Sequence, residues 1–245
     1  MKVETVTPYD SKEGKRLQIM RAFDVLARRY DLLNRILSLG LDLGWRRSAL
    51  RHLQGASPTH ILDVATGTAD FAIMAARQLP HARITGIDLS EGMLEAGRKK
   101  VTAAGLNDRI TLETGDSLAL AFPDATFDAA TAAFGVRNFE NLAAGFAEMR
   151  RVVKPGGQVL ILELSEPTAF PLRHLHHFYL RHYIPLVGRV LTGLASEYRY
   201  LPASVEHVPQ GDAMLALLSE AGFTDCRCET YTFGICSCYT GRARL

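Results

Sequence analysis

Three aspartates and one arginine carry most of the chemistry that can be read in this chain of 245 residues. In ILDVATGTADFA an apolar strand ends at Asp63, a tight turn contains Gly67, and a helix opens at about Asp70. A second apolar run ends at Asp88 and a third at Asp116-Ser117. Ligands of open parallel sheets sit beyond the carboxyl ends of the strands, so these acids should face one crevice. Asp88 is placed there to accept both hydroxyls of a ribose, and Asp116 with Ser117 suits an adenine amino group and ring nitrogen. The turn holds a single glycine, the G-x-G-x-x-G fingerprint is absent, and no basic residue follows to meet a pyrophosphate. The cofactor implied has adenosine without phosphate. Each aspartate alone reads as a loop or cap residue; three in register at successive strand ends reverse that reading.

The arginine closes ATAAFGVRNF (130–139), a run of small and apolar residues that ends abruptly in Arg137 and Asn138. A guanidinium costs too much to bury unpaired, so Arg137 must reach solvent, a carboxylate such as Glu163, or a cavity where something bound needs it.

The elements that would position these residues follow from periodicity. A loose amino terminus leads into helical spacing at Met20, Phe23, Leu26, Ala27 and Tyr30, continued by Leu33, Ile36 and Leu37; a helical cap is expected over about 11–54. Strand-like runs at 59–66, 82–89, 109–116, 127–136 and 156–165 then alternate with helices over 70–79, 91–104 and 141–153. That alternation specifies a parallel sheet with helices on both faces. An aromatic and basic segment, about 167–209, interrupts before a helix over 210–221 and two final strands that form an antiparallel hairpin turning near Gly234. The expectation is one α/β domain over 1–245, with the inserted segment as a substrate lid.

Charge is nearly balanced, 28 basic against 26 acidic residues, and nothing asks for nucleic acid. The terminus MKVETVTPYDSKEGKR lacks the apolar core of a signal peptide, which points to the cytoplasm. Cys226, Cys228, Cys236 and Cys238 form two C-x-C pairs that would each share one face of a strand, as reduced core thiols rather than metal ligands. His174, His176, His177 and His182 are expected on a solvated helix face, and no metal is expected.

Acids in the first turn and after the second and third strands resemble the S-adenosylmethionine-dependent methyltransferases. The stretches FDVLARRYDLLNRILSLGLDLGWRR, DVATGTADFA, GIDLSEGMLEAGRKK, FPDATFD, FGVRNF, EMRRVVKPGG, YRYLPASV and AGF, in that order and spacing, resemble the ubiquinone/menaquinone biosynthesis C-methyltransferase family over nearly the whole chain. The resemblance implies the Rossmann-like class I fold, a mostly parallel seven-stranded sheet, with S-adenosyl-L-methionine as cofactor and a polyprenyl quinol as acceptor. It assigns cofactor contacts to Asp63, Thr68, Asp88, Asp116 and Ser117, acceptor contacts to Tyr30 and Tyr200, and catalysis to Arg137 and Asn138. It also admits a homodimer and a peripheral contact at the inner face of a membrane.

The implied reaction methylates a ring carbon, a poor nucleophile until loss of a phenolic proton pushes electron density onto the carbon beside the oxygen. A free phenol has a pKa of ~10, so the site needs a base, an oxyanion stabiliser, or both. Arginine is an improbable base, which leaves Arg137 to stabilise a phenolate and Asn138 to orient it. Phe170, Leu172, Leu175, Phe178, Tyr179, Ile184, Leu186 and Val187 are expected to wall the prenyl tail, with Arg173, Arg181 and Arg189 at solvent or lipid headgroups. Tyr198, Arg199 and Tyr200 would line or close the pocket, or simply pack. Two departures stand out: the family's A-G-G-T-G-D turn is A-T-G-T-A-D here. Thr66 would be awkward at a positive φ, and the methyl of Ala69 would crowd the methionyl moiety and weaken binding. A methyltransferase acting on another phenolic or lipid acceptor, or a non-catalytic cofactor-binding scaffold, would share the cofactor half.

Overall fold

The computed structural model describes residues 2–27, 30–184 and 195–245. Helices α1 (Lys15–Leu26), α2 (Tyr30–Leu37) and α3 (Leu41–Gln54) precede the first strand. Strands and helices then alternate through β1 (His60–Val64), α4 (Asp70–Gln78), β2 (Arg83–Asp88), α5 (Glu91–Ala103), β3 (Ile110–Thr114), β4 (Phe127–Ala133), α6 (Leu142–Val152) and β5 (Val153–Leu164). Beyond the alternation come α7 (Leu172–Phe178), prolonged by a wider π-type turn over Tyr179–Tyr183, then α8 (Ala195–His207), α9 (Asp212–Glu220), β6 (Phe223–Tyr231) and β7 (Cys236–Ala243).

The seven strands lie in the order β3-β2-β1-β4-β5-β7-β6. They are parallel up to β5, whereas β7 runs antiparallel to both β5 and β6. Chain order reverses at β1, where Ile61 faces Ile84 of β2 on one side and Ala129 of β4 on the other. Such a reversal opens a crevice at the carboxyl ends of the two flanking strands. Covered on both faces, β1 is buried from Ile61 to Val64, so it reads as a continuous apolar run broken only by Asp63. One face packs on Phe146 and Met149 of α6 and Met214 and Leu218 of α9. The other packs on Trp45, Ala49 and Leu50 of α3, Ala72 of α4 and Leu94 of α5.

The cysteine pairs divide between those cores. Cys226 and Cys228 pack on the α6 side, while Cys236 and Cys238 are buried on the α3 side. All four are free thiols, and burial pushes Cys238 up to about 12. Among the described residues no helix is long and apolar enough to cross a membrane.

Two expected elements change shape. The fourth strand stops at Ala133, three residues early, because Phe134 adopts a left-handed φ of 62°. A short 3-10 turn over Val136–Asn138 follows, so Arg137 and Asn138 stand on a turn beyond the strand rather than at its end. The inserted segment faces as expected only in part: Tyr179 and Ile184 line an apolar cavity. Phe170, Leu175 and Phe178 are 83%, 62% and 64% exposed and line neither of the two cavities described below, while Leu172 is only half-buried. His176 is not solvated: it is 7% exposed with Nδ1 enclosed and unpartnered, whereas His174 and His182 are exposed as expected. The repeat Leu172, His176, Leu180, Ile184 is an i, i+4 stripe, and its last three members turn inward. Leu186, Val187 and Arg189 lie outside the described residues, as do the side chains of Tyr198 and Arg199.

Candidate functional site

At the end of β1 the backbone bends through left-handed φ values at Ala65 (54°), Gly67 (57°) and Ala69 (63°). Thr66 is not among them, so its branched side chain is unstrained. Its hydroxyl donates to Asp63 Oδ2 at 2.7 Å, and Thr131 of β4 donates to Oδ1 at 2.7 Å. Gly86 of β2 makes this possible, since a Cβ there would come within 2.8 Å of Thr66 Oγ1 and 2.7 Å of Leu112 Cδ2. Burial raises the Asp63 carboxyl to about 6, with the two hydroxyls and Arg46 acting against it. Ala69 does sit at a strained angle, but its methyl is wholly buried in the α3-side core and lines no cavity. Thr66 thus escapes the awkward angle expected of it and ties down Asp63, while the methyl of Ala69, expected to crowd a ligand, fills the core.

Asp88 ends β2 with Oδ2 accepting from Gly67 N at 2.8 Å and Oδ1 from Ser90 N at 2.9 Å. Burial raises its pKa and these backbone donors pull the other way. The carboxylate is thus fixed in orientation, with lone pairs to spare for two vicinal hydroxyls. Asp116, after β3, accepts from Leu118 N at 2.9 Å and pairs with Arg16 of α1 at 2.9 Å. Ser117 stands beside it in the same wall. Thr68 lines the cavity too, but its hydroxyl is committed to Asp31 of α2 and accepts from Lys100 Nζ at 3.2 Å.

These residues line a cavity of about 920 Å³, its solvent-open mouth included, running along the ends of β3, β2 and β1 to Phe134 and Asn138. A second cavity of about 1150 Å³, again counted with its open mouth, adjoins it, walled by Leu33, Leu37, Tyr179, Leu180, Ile184 and Val205 among others. Ile19, Phe23, Tyr30, Arg46 and Phe134 line both. The first is ringed by carboxylates and backbone donors, the second by aliphatic and aromatic side chains, and the two meet at Tyr30 and Phe134.

Arg137 and Asn138 divide between the two walls, Arg137 in the apolar cavity and Asn138 in the polar one. Arg137 Nη1 donates to Glu163 Oε1 at 2.8 Å and to the Phe134 carbonyl, and its backbone N donates to Glu163 Oε2 at 3.2 Å. Burial works to lower the guanidinium pKa, but Glu163 overrides it and the net shift is upward. Of the three fates open to Arg137, two are found together: it pairs with Glu163 and lines a cavity. Asn138 Oδ1 accepts from Tyr200 Oη at 2.9 Å, and burial raises the Tyr200 phenol well above its usual range. Lys15 Nζ donates to the Arg137 carbonyl at 2.9 Å, so α1 is tied across the site at Lys15, Arg16 and Asp24.

Two participants, Arg16 and Arg46, were missed in the sequence, and a third, His176, was placed at solvent instead of in the apolar wall. Arg46 had a signal, because it shares the inward helical stripe of Ala49, Leu50 and Leu53. Arg16 had none, since only the tertiary placement of α1 brings it to Asp116.

Comparison with known proteins bears on this arrangement. The crystal structure of a SAM-dependent methyltransferase from Thermotoga maritima superposes with a TM-score of 0.63 at 16% identity, covering 91% of this chain and 99% of that one. The [4+2]-cyclase SpnF superposes at 0.62 with 17% identity, over 94% and 97%, so the fold alone does not fix the reaction. Sequence is more specific. The chain is 44% identical to the demethylmenaquinone methyltransferase of Bacteroides fragilis over 97% of both chains. It is 42% identical to the ubiquinone/menaquinone biosynthesis C-methyltransferase UbiE of Geobacter sulfurreducens, over 96% of this chain and 91% of that one. Residues 9–243 match the model of the ubiE/COQ5 methyltransferase family. A match of that extent, on a fold whose strand ends hold the three acids in one crevice, shows that the chain belongs to the ubiE/COQ5 methyltransferase family.

Proposed function

We propose that the chain transfers a methyl group from S-adenosylmethionine to a ring carbon of a polyprenyl hydroquinone. The observation that carries this reading is the pair of adjoining cavities, one set with carboxylates and the other apolar, meeting at Tyr30 and Phe134. The fit to the cofactor rests on donor chemistry: Asp88 is oriented by two backbone N–H groups with lone pairs free for a ribose, and Asp116 with Ser117 stands one strand further for the adenine. Asp63 completes the set at the methionyl end, and Thr68 braces the turn through Asp31. When bound, S-adenosylmethionine supplies an electrophilic sulfonium methyl.

The acceptor half is the work of the apolar cavity. Leu33, Leu180, Ile184 and Val205 exclude water from the tail, and low polarity strengthens any charge placed there. Arg137, positive beside a developing phenolate, lowers the cost of removing the quinol proton, and Asn138, fixed by Tyr200, orients the ring.

Exposed Phe170, Leu175 and Phe178, with exposed Arg173 and Arg181 alongside, suit a contact with an anionic membrane surface, from which a polyprenyl quinol would be drawn. One experiment tests both parts. The protein is incubated with S-adenosylmethionine and anionic vesicles carrying a demethyl naphthoquinol or benzoquinol, then sedimented, and the lipid extract is weighed by mass spectrometry. Protein in the pellet and a quinol heavier by one methylene are expected. Unmodified quinol of both ring types would sink the catalytic reading, and protein left in the supernatant would sink the membrane contact.

A further inference from the structure

Arg46 is as deeply buried as Arg137, each being 6% exposed, yet it is far less well served. Its Nε is enclosed and has no acceptor. Its ion contact, to Asp42 Oδ2, is 3.6 Å long, and that carboxylate is already taken by Arg35 Nη1 at 2.5 Å and Ser38 Oγ at 2.8 Å. Otherwise the guanidinium lies 4.9 Å from the centre of the Phe134 ring, a cation–π contact that satisfies none of its N–H donors. Among the described residues Arg46 donates no hydrogen bond, and it lines both cavities. A buried guanidinium with unspent donors facing a cavity is built for an anion that comes from outside the protein.

The neighbours say which anion. Asp116, Asp88 and Asp63 follow one another at the ends of β3, β2 and β1, the order in which an adenine, a ribose and an amino-acid end would lie along the first cavity. Arg46 stands at the β1 end, close enough to Asp63 that its charge bears on that carboxyl. A buried cation beside a buried carboxylate is the complement of a zwitterion. We propose that Arg46 binds the carboxylate of the methionyl end of S-adenosylmethionine, with Asp63 opposite the ammonium group. The planar fork of the guanidinium, left free by the weak contact to Asp42, matches a carboxylate in two parallel hydrogen bonds. This deepens the cofactor reading of the same site and rests on it.

The test is a binding comparison by titration calorimetry, with two ligands and three proteins. S-Adenosylhomocysteine carries the amino-acid end; 5′-methylthioadenosine lacks it. Arg46→Gln should lose about 10- to 100-fold in affinity for the first, the scale of a charge-assisted pair, and stay within about twofold for the second. Arg46→Lys, which keeps the charge and loses the fork, should fall between Gln and the parent for the first ligand only. Should Arg46→Gln fail to fold, the Lys variant makes the same comparison. Unchanged affinity for S-adenosylhomocysteine would overturn the proposal and move Arg46 to the acceptor cavity. Equal losses for both ligands would overturn it in favour of general support of the pocket. A parent protein that binds neither ligand would instead strike the cofactor assignment itself.

Discussion

The turn after β4 and the first turns of α3 each deliver a guanidinium to the same wall, and they resolve its burial in opposite ways. Arg137 meets a carboxylate and a carbonyl of the protein, whereas Arg46 meets a ring and an acid already engaged. Burial of charge therefore does not by itself mark a ligand site; the satisfaction of its donors does. An ion pair such as Arg137–Glu163, with Glu163 1% exposed, holds its position before any ligand arrives. The side-chain hydrogen bonds of Arg137 to Glu163 and to the Phe134 carbonyl run through Nη1, and the residue still lines the apolar cavity.

The sharpest way to break this contrast is Arg137→Ala, which leaves Glu163 buried without its partner. A loss of about 3–5 kcal/mol in stability is expected, read by denaturant unfolding. The double variant Arg137→Ala/Glu163→Gln should recover much of that loss and yet turn over roughly 10²- to 10³-fold slower, the scale of one lost oxyanion donor. Restored stability with normal turnover would make the pair purely structural. Asp88→Ala should behave differently again. Its donors are backbone groups at the cavity edge, so the fold should survive while S-adenosylhomocysteine binding weakens by about 1.5–3 kcal/mol; unchanged affinity in calorimetry would remove the ribose assignment. The smallest effect is expected at Ala69. Glycine relieves the left-handed strain but gives up a buried methyl, so stability should move by no more than about 1 kcal/mol. Cofactor affinity should stay within about twofold, and a marked weakening would show that the turn relies on that methyl to hold Gly67.

The placements that the sequence made legible are those fixed by strand register. Asp63, Asp88 and Asp116 follow short apolar runs, and parallel pairing sets those runs side by side whatever the loops do. The family motifs carried the topology with them. Less legible was anything decided by local backbone or by packing across elements. Nothing in FGVRN says that Phe134 takes a left-handed φ and turns the chain early. Thr66 looked awkward because the positive angles could not be assigned within the turn; they fall at Ala65, Gly67 and Ala69, and the hydroxyl serves Asp63. The inserted segment was misread for a different reason. Its aromatic content was taken as wall, whereas the i, i+4 stripe through His176 and Leu180 was the better guide to the inward face, leaving Phe170, Leu175 and Phe178 outside.

The packing of Thr66 against Gly86 has a bearing on how this sequence could have arisen. A side chain at position 86 would collide with both Thr66 and Leu112, while Thr66 itself could be trimmed without disturbing any neighbour's volume. The two positions are thus unequal as mutational steps. Trimming position 66 costs Asp63 one hydrogen bond but no space, whereas 86 is closed as long as either threonine or Leu112 remains. A side chain enters β2 at position 86 only once both Thr66 and Leu112 have given way.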